Sequence, residues 1–217
     1  MPTMLPDDEL PAVETPIRPP GFPHSRRWLF GEMLVGALVG LVAAFVLGVD
    51  AIELAANPQV TLACDINTII SCGTVAQAWQ ASVFGFPNAF LGLIAEPVVI
   101  TVAVAGLAGV RFPRWFMTAA QTVYLLGTIF AYWLFTESMF VIGALCPWCL
   151  TVTVSTTLVF VSMLHWNVLE DNLYWPRRVH ARAVEFVRSG ALDILLAAWL
   201  VGLAAAIVLK YGTALFS

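Results

Sequence analysis

Five long apolar stretches limit what this 217-residue chain can fold into. Their positions are approximately 28–49, 89–110, 115–135, 146–166 and 191–211. Each approaches the ~20 residues that an α-helix needs to cross a bilayer. Because 60% of the residues are hydrophobic and only 11% are charged, the chain is too apolar for a soluble domain of this size. The sequence therefore predicts an all-α integral membrane protein with five transmembrane helices.

The positively charged residues predict how these helices are oriented. Nine of the ten Lys and Arg residues lie before the first stretch, between the second and third, or after the fourth, and residues 50–87 contain none. Since cytoplasmic loops carry the excess of Lys and Arg, the amino terminus is predicted to be cytosolic, in a multi-pass protein of the cell (inner or plasma) membrane. The 50–88 loop, the four cysteines and the carboxyl terminus are then external, on the side where disulfides persist.

The remaining segments fit this orientation. Residues 1–27 hold seven prolines and a cluster of acids, and they are predicted to be a disordered cytosolic tail. The basic segment 167–190 is expected to lie on the cytosolic membrane surface, with residues 182–188 as a short amphipathic helix near anionic lipid. Residues 191–217 hold the fifth helix and an external end. In the first helix, Gly36 and Gly40 form a GxxxG motif, which we interpret as packing within the chain rather than dimerisation.

The motif Cys146-Pro147-Trp148-Cys149 stands at the start of the fourth stretch. If Cys146 caps this helix, Pro147 occupies the first helical position, where its missing N–H costs little. Cys149 then lies in the first turn, where unpaired backbone N–H groups and the helix dipole stabilise a thiolate. The motif predicts a dithiol at the bilayer edge that exchanges electrons with a lipid-soluble molecule.

The four cysteines allow three pairings, and proximity favours Cys64 with Cys72 and Cys146 with Cys149. One alternative is a non-enzymatic polytopic membrane protein whose external loops are stapled by two disulfides. A CxxC ring constrains almost no chain, however, so it suits redox cycling better than stapling. The apolar residues of the 50–88 loop predict an amphipathic lid, from which the two pairs can exchange disulfides. Because the spacing is not that of a familiar zinc site, we predict no metal.

Two polar residues mark the second stretch. Asn88 follows Pro87 and is placed to cap the helix, and a role in a binding site is an equal alternative. Glu96 directly precedes Pro97 inside the apolar stretch, where an ionisable residue is a functional candidate. The alternative for Glu96 is a neutral acid bonded to backbone groups that the proline leaves free.

Taken together, these motifs resemble the bacterial vitamin K epoxide reductase family. The resemblance covers about residues 28–166 and rests on Cys64-Asp65, Ser71-Cys72-Gly73, the 85–92 entry into the second helix and the 143–149 segment. It implies a catalytic four-helix bundle around a quinone, covered by the lid, to which the fifth helix is an addition. The unrelated quinone-linked disulfide generator of proteobacteria carries its CxxC before its spaced pair, so the order here is the reverse.

The resemblance also implies a role for each cysteine. Cys64 would exchange with an external thioredoxin-like (DsbA-like) protein, expected to be a separate chain because this one stops at Ser217. Cys72 would then attack Cys146, and Cys149 would reduce a quinone of the menaquinone or ubiquinone type. Such an enzyme drives disulfide formation in exported proteins and has no nucleic-acid partner.

The quinone contacts follow from the same resemblance. Asn88 matches the family asparagine that donates to a quinone carbonyl, and Phe86, Phe90, Leu91 and Thr153 complete the expected contacts. Vertebrate members have a tyrosine where this chain has Thr153. The resemblance therefore does not extend to that second hydrogen-bond donor, nor to epoxide reduction.

Overall fold

The computed structural model describes residues 25–212. The predicted tail at 1–27 falls almost entirely outside the described residues, and so does the end of the chain after Gly212. Within them the chain forms seven α-helices: α1 Arg26–Ala56, α2 Cys72–Gln77, α3 Ala89–Leu107, α4 Arg114–Glu137, α5 Pro147–Leu169, α6 Arg177–Arg188 and α7 Ala191–Tyr211. A 3₁₀ turn spans Trp79–Ser82, and a π-helical turn, Ser138–Ile142, continues α4.

Five of these helices are long and apolar enough to cross a membrane, namely α1, α3, α4 with its π-helical turn, α5 and α7. This confirms the predicted all-α integral membrane protein with a four-helix bundle and a fifth helix. Several helix ends differ from the predicted limits, and two of them have a clear physical reason. Helix α1 continues to Ala56 because residues 51–56 are mostly good helix formers and Leu54 is buried beneath the lid. Helix α3 ends at Leu107, shortly before Gly109 adopts a positive φ of 106°.

Helix α1 lies at the centre of the bundle, against α3 on one side and α5 on the other, and α4 packs on α5. Small residues allow this close approach. A Cβ added to Gly36 would lie 2.8 Å from the Val159 side chain of α5, and one added to Gly40 would lie 3.0 Å from the Glu96 carboxyl of α3. The GxxxG motif of α1 therefore serves packing within the chain, as the sequence analysis favoured.

Helix α6 packs at the end of the bundle that is remote from the cysteines, and α7 runs from there along the bundle until Tyr211 bonds to the Met139 carbonyl oxygen. Helix α6 begins at Arg177, five residues earlier than predicted, because Pro176 fixes an extended N-cap conformation and the chain can turn helical directly after it. Its Val187 packs with Val168 and Leu192 in a small separate core. Most of α7 is exposed along its length, as expected for a helix that faces lipid.

Residues 57–88 form the lid between α1 and α3. Leu62, Cys64 and Cys72 point into a hydrophobic cluster over the bundle, whereas Ile66 and Trp79 are exposed on the outer side. The loop therefore covers the bundle as predicted, but Ile66 and Trp79, two of the apolar residues from which the amphipathic lid was predicted, lie on its exposed side.

Candidate functional site

The lid carries a disulfide between Cys64 and Cys72. The Asp65 side chain folds the loop between them. Its Oδ1 accepts hydrogen bonds from Gly73 N and Ser71 Oγ, both at 2.8 Å, and its Oδ2 accepts one from Leu62 N at 2.9 Å. Burial raises the pKa of the Asp65 carboxyl, but these bonds lower it by more, so its pKa lies below the ordinary value of 3.8. A charged Asp65 therefore holds the two ends of the disulfide loop together.

A short parallel β-bridge brings the lid onto the CxxC segment. Ser71 N donates to Leu145 O at 3.1 Å, and Leu145 N donates to Ile69 O at 2.6 Å. Ser71 directly precedes Cys72, and Leu145 directly precedes Cys146. As a result both cysteine pairs lie in one hydrophobic cluster, in which Cys72 and Cys146 are each 1% exposed. The backbone pairing thus sets the two redox motifs side by side.

The CxxC motif opens α5 as the sequence predicts. Cys146 is the N-cap and Pro147 the first helical residue. The two cysteines are free thiols, so the predicted Cys146–Cys149 disulfide is absent from the state that the structure represents, whereas the Cys64–Cys72 pairing is as predicted.

The anion is stabilised at Cys146. The pKa of Cys146 lies below its ordinary value of 9.0. The largest cause is the hydrogen bond that the Cys149 thiol donates to Cys146. Burial raises the pKa of Cys146, and the N–H groups of Cys149 and Trp148 lower it further. The Cys149 N–H approaches Cys146 Sγ at 3.3 Å. The N–H of Cys149 is thus directed at the cap residue, and a thiolate at Cys149 itself stays a prediction.

Beneath the lid, α1, α3, α4 and α5 surround a cavity of about 690 Å³. That volume is typical of a small-molecule site. Its lining is mostly apolar, and Cys72, Cys146 and Cys149 form part of its upper wall. Further polar residues also face it, among them Asn88, Glu96, Tyr124 and Thr153. A flat apolar ring with polar oxygens on its edge is the kind of ligand that this lining suits.

Asn88 occupies the N-cap position of α3, but its side chain makes no cap hydrogen bond. Instead its Nδ2 donates to the Gln80 carbonyl oxygen of the lid at 2.6 Å, and Gln80 Nε2 donates to Glu137 Oε2 of α4 at 2.9 Å. The Asn88 Oδ1 atom is buried without a protein hydrogen-bond partner. Buried polar atoms are rarely left unsatisfied, so Oδ1, an acceptor, would bind a donor such as a quinol hydroxyl. A quinone carbonyl oxygen is itself an acceptor and would need the second Nδ2 hydrogen of Asn88.

The other predicted quinone contacts divide into two groups. Leu91 and Thr153 line the cavity, and the Thr153 hydroxyl donates to the Cys149 carbonyl oxygen at 3.0 Å. Phe86 and Phe90 are not among the lining residues. They stack on each other with ring centroids 6.5 Å apart, and Phe90 lies against Gly48 of α1. These two rings support the lid and its junction with α3, because the start of α3 turns them away from the cavity.

The sequence profile of the vitamin K epoxide reductase family matches residues 32–164, which is more than half of the chain. The chain belongs to the vitamin K epoxide reductase family. A comparison with curated proteins finds no match. Members of the vitamin K epoxide reductase family are oxidoreductases that act on disulfides and quinones, and this chain has a cavity of small-molecule size beside its CxxC.

The structure adds residues that the sequence analysis did not place in the vitamin K epoxide reductase site. Tyr124 of α4 donates to both oxygens of Glu96, at 3.1 and 3.3 Å. Glu96 is thus bonded across to another helix rather than to backbone freed by Pro97. A sequence signal for Tyr124 did exist: Gln121, Tyr124 and Thr128 are buried polar residues at helical spacing in an otherwise apolar helix.

Asp50, near the end of α1, was also missed. Its Oδ2 lies 3.8 Å from Cys64 Sγ, and its ligand atoms and those of Cys64 and Cys72 all lie within 4.8 Å of one another. Here the two sulfurs are bonded to each other in the disulfide. The negative charge of Asp50 opposes thiolate formation at Cys146. No sequence pattern marks Asp50, because it reaches the cysteines only through the extension of α1.

Proposed function

We propose that the protein is a thiol:quinone oxidoreductase that reoxidises an external thioredoxin-like partner and passes the electrons to a membrane quinone. The observation that carries this proposal is the β-bridge between Ile70 and Leu145, which pairs the segment before Cys72 with the residue before Cys146, both cysteines belonging to one buried cluster. Disulfide exchange requires a thiolate to reach a disulfide sulfur, and this contact supplies that proximity.

The proposed cycle balances at each step. The partner dithiol attacks the Cys64–Cys72 disulfide, so that the partner is oxidised and Cys64 and Cys72 become thiols. The Cys72 thiolate then attacks Cys146 of an inner disulfide and releases Cys149, and Cys64 resolves the mixed disulfide by attacking Cys72. The inner dithiol finally forms its disulfide again and gives two electrons and two protons to the quinone, which yields a quinol.

The described state corresponds to one point of this cycle. The outer pair is oxidised and the inner pair is reduced, which is the distribution expected immediately before quinone reduction. A quinone is a stronger oxidant than a typical dithiol, and a potential difference of ~100 mV corresponds to roughly 5 kcal/mol for two electrons. Transfer toward the quinone is therefore favourable.

The orientation that we propose follows the Lys and Arg distribution, with the amino terminus cytosolic and the cysteines external. In the fold, the described basic residues Arg26, Arg114 and Arg177 stand at the ends of α1, α4 and α6 that are remote from the cysteine cluster. With this orientation the product is disulfide formation in exported proteins.

The test is reconstitution of the purified protein with a reduced thioredoxin-like protein and a soluble quinone analogue. Wild type should consume the quinone absorbance, and Cys149→Ala should not. In Cys149→Ala, a Cys72–Cys146 bridge should accumulate and be visible on non-reducing gels, and it should disappear when Cys72→Ser is added. Equal quinone consumption by wild type and Cys149→Ala would contradict the proposal.

A further inference from the structure

Glu96 and Tyr124 form a polar pair in the wall of the cavity that the cysteine relay does not use. Both line the cavity together with Cys149 and Asn88, and Glu96 is 5% exposed. An acid within a membrane helix is costly, and its position in a substrate cavity is a reason to ask what chemistry it performs.

The bundle is built to accommodate this carboxyl group. Opposite it, α1 presents Gly40, whose missing side chain leaves the space that the Glu96 carboxyl occupies. Helix α5 presents Ser155, whose Oγ lies next to the same Gly40, and α4 presents the Tyr124 hydroxyl. Small or polar groups therefore face Glu96 from each of the three helices packed around it, and Tyr124 is the titratable group among them.

Asn88 and Glu96 lie at different heights of the cavity wall. Asn88 is the N-cap of α3 and Glu96 follows eight positions later, a rise of about 12 Å along the helix axis between their backbones. A quinone ring that lies along this wall can therefore have Asn88 at one end and Glu96 at the other. A quinone carries its two oxygens on opposite sides of such a ring. If Asn88 binds one oxygen, the other points toward the Glu96–Tyr124 pair.

Thr153 does not supply a hydrogen bond to the second quinone oxygen. Thr153 is short, and its hydroxyl already donates to the Cys149 carbonyl oxygen, so it does not reach across the cavity to a second quinone oxygen. Glu96 of α3 and Tyr124 of α4 line the cavity together with Thr156, which is about one helical turn beyond Thr153 on α5. The Glu96–Tyr124 pair is therefore the polar group placed to serve the oxygen remote from Asn88.

We propose that Glu96, held by Tyr124, is the proton donor to the quinone oxygen remote from Asn88. This inference rests on the proposed function. The Cys146/Cys149 dithiol forms its disulfide and releases two electrons and two protons, and the quinone takes up two of each. One proton passes from the Glu96 carboxyl to the remote oxygen, and one of the two thiol protons passes to the oxygen beside Asn88. The carboxylate regains a proton from those that the thiols release, through the hydroxyl groups of the cavity wall, so protons and electrons balance.

The test compares Glu96→Gln with wild type in quinone reduction by the inner dithiol, measured across pH. Gln keeps the size of Glu but does not donate a carboxyl proton. We expect kcat to fall about 100-fold or more, within the range for loss of a general acid, with KM for the quinone analogue changed much less. We also expect the decline of the wild-type rate at high pH, which reports the deprotonated carboxyl, to vanish. Glu32→Gln, an acid of α1 that does not line this cavity, is the matched control and should behave as wild type.

The outcomes separate the two proposals. If wild type does not reduce the quinone, the proposed function fails and this inference fails with it. If wild type is active and Glu96→Gln matches its kcat and pH profile, only the inference is overturned. Formation of the Cys72–Cys146 bridge in Glu96→Gln/Cys149→Ala shows that the variant is folded. If Glu96→Gln does not insert into the membrane, Tyr124→Phe is used instead, because it keeps the carboxyl group and removes its hydroxyl partner. The pH at which the rate of quinone reduction declines should then shift. If that pH is the same as in wild type, the inference is overturned.

Discussion

Replacement of Asp65 by Asn tests whether one carboxylate holds the lid in its working conformation. Asp65 accepts three hydrogen bonds, two at Oδ1 and one at Oδ2. Asn has a single acceptor oxygen. If that oxygen keeps the bonds from Gly73 and Ser71, the Asn amide nitrogen faces the Leu62 N–H, and two donors oppose each other.

The expected loss can be worked out from these contacts. A hydrogen bond to a charged group contributes about 1.5–3 kcal/mol, and the partial exposure of Asp65 favours the lower half of this range. Losing one such bond and the charge on the others should cost about 2 kcal/mol of lid stability. Since each 1.4 kcal/mol is a factor of ten, the opened lid should become about 30-fold more populated.

Hydrogen exchange followed by mass spectrometry measures this population. Peptides that cover residues 62–73 should lose about 30-fold of their protection in Asp65→Asn, and peptides from α5 should be unchanged. The control is Glu53→Gln, an exposed acid near the end of α1. The reasoning is refuted if lid protection in Asp65→Asn stays within twofold of wild type.

The same side chain predicts a pH dependence. Because the folded pKa of Asp65 is lowered, its stabilisation of the lid is fully present above 3.8 and is lost as the pH falls through the folded pKa. Wild-type lid protection, corrected for intrinsic exchange rates, should therefore decline below that pH. In Asp65→Asn this decline should be absent.

Three further substitutions follow from the site. Asn88→Ala should lower quinone kcat/KM about 5- to 100-fold through loss of a buried hydrogen-bonding group, and an unchanged value in steady-state assays contradicts the assignment. Gly40→Ala should lower stability by about 1–3 kcal/mol through overpacking, seen as a lower Tm in detergent, while Gly31→Ala, whose added Cβ has no neighbour within 4 Å, should not. Asp50→Asn should lower the pKa of Cys146, so alkylation of Cys146 should begin at lower pH; a shift to higher pH would refute the electrostatic role.

Much of the site was accessible from local sequence. Pro147 after Cys146 indicates a helix start capped by a cysteine, and the structure has that cap, because capping depends on a few consecutive residues. The Cys64–Cys72 pairing likewise involves a short segment of chain. Local pattern did not reveal which thiol the helix end favours, since that depends on how the Cys149 thiol and N–H are directed at Cys146.

The amino-acid sequence by itself determined the five membrane helices and the two cysteine motifs, because hydropathy, helix capping and residue spacing act over a few turns of chain. Only the tertiary structure decided that Ile69 and Ser71 pair with Leu145, that Tyr124 binds Glu96, and that Phe86 and Phe90 lie outside the cavity. These contacts depend on helix rotation and on the approach of segments far apart in the chain. These contacts form when the small residues of α1 let it pack against α3 and α5. That packing depends on all three helices together, so it cannot be predicted from any one segment.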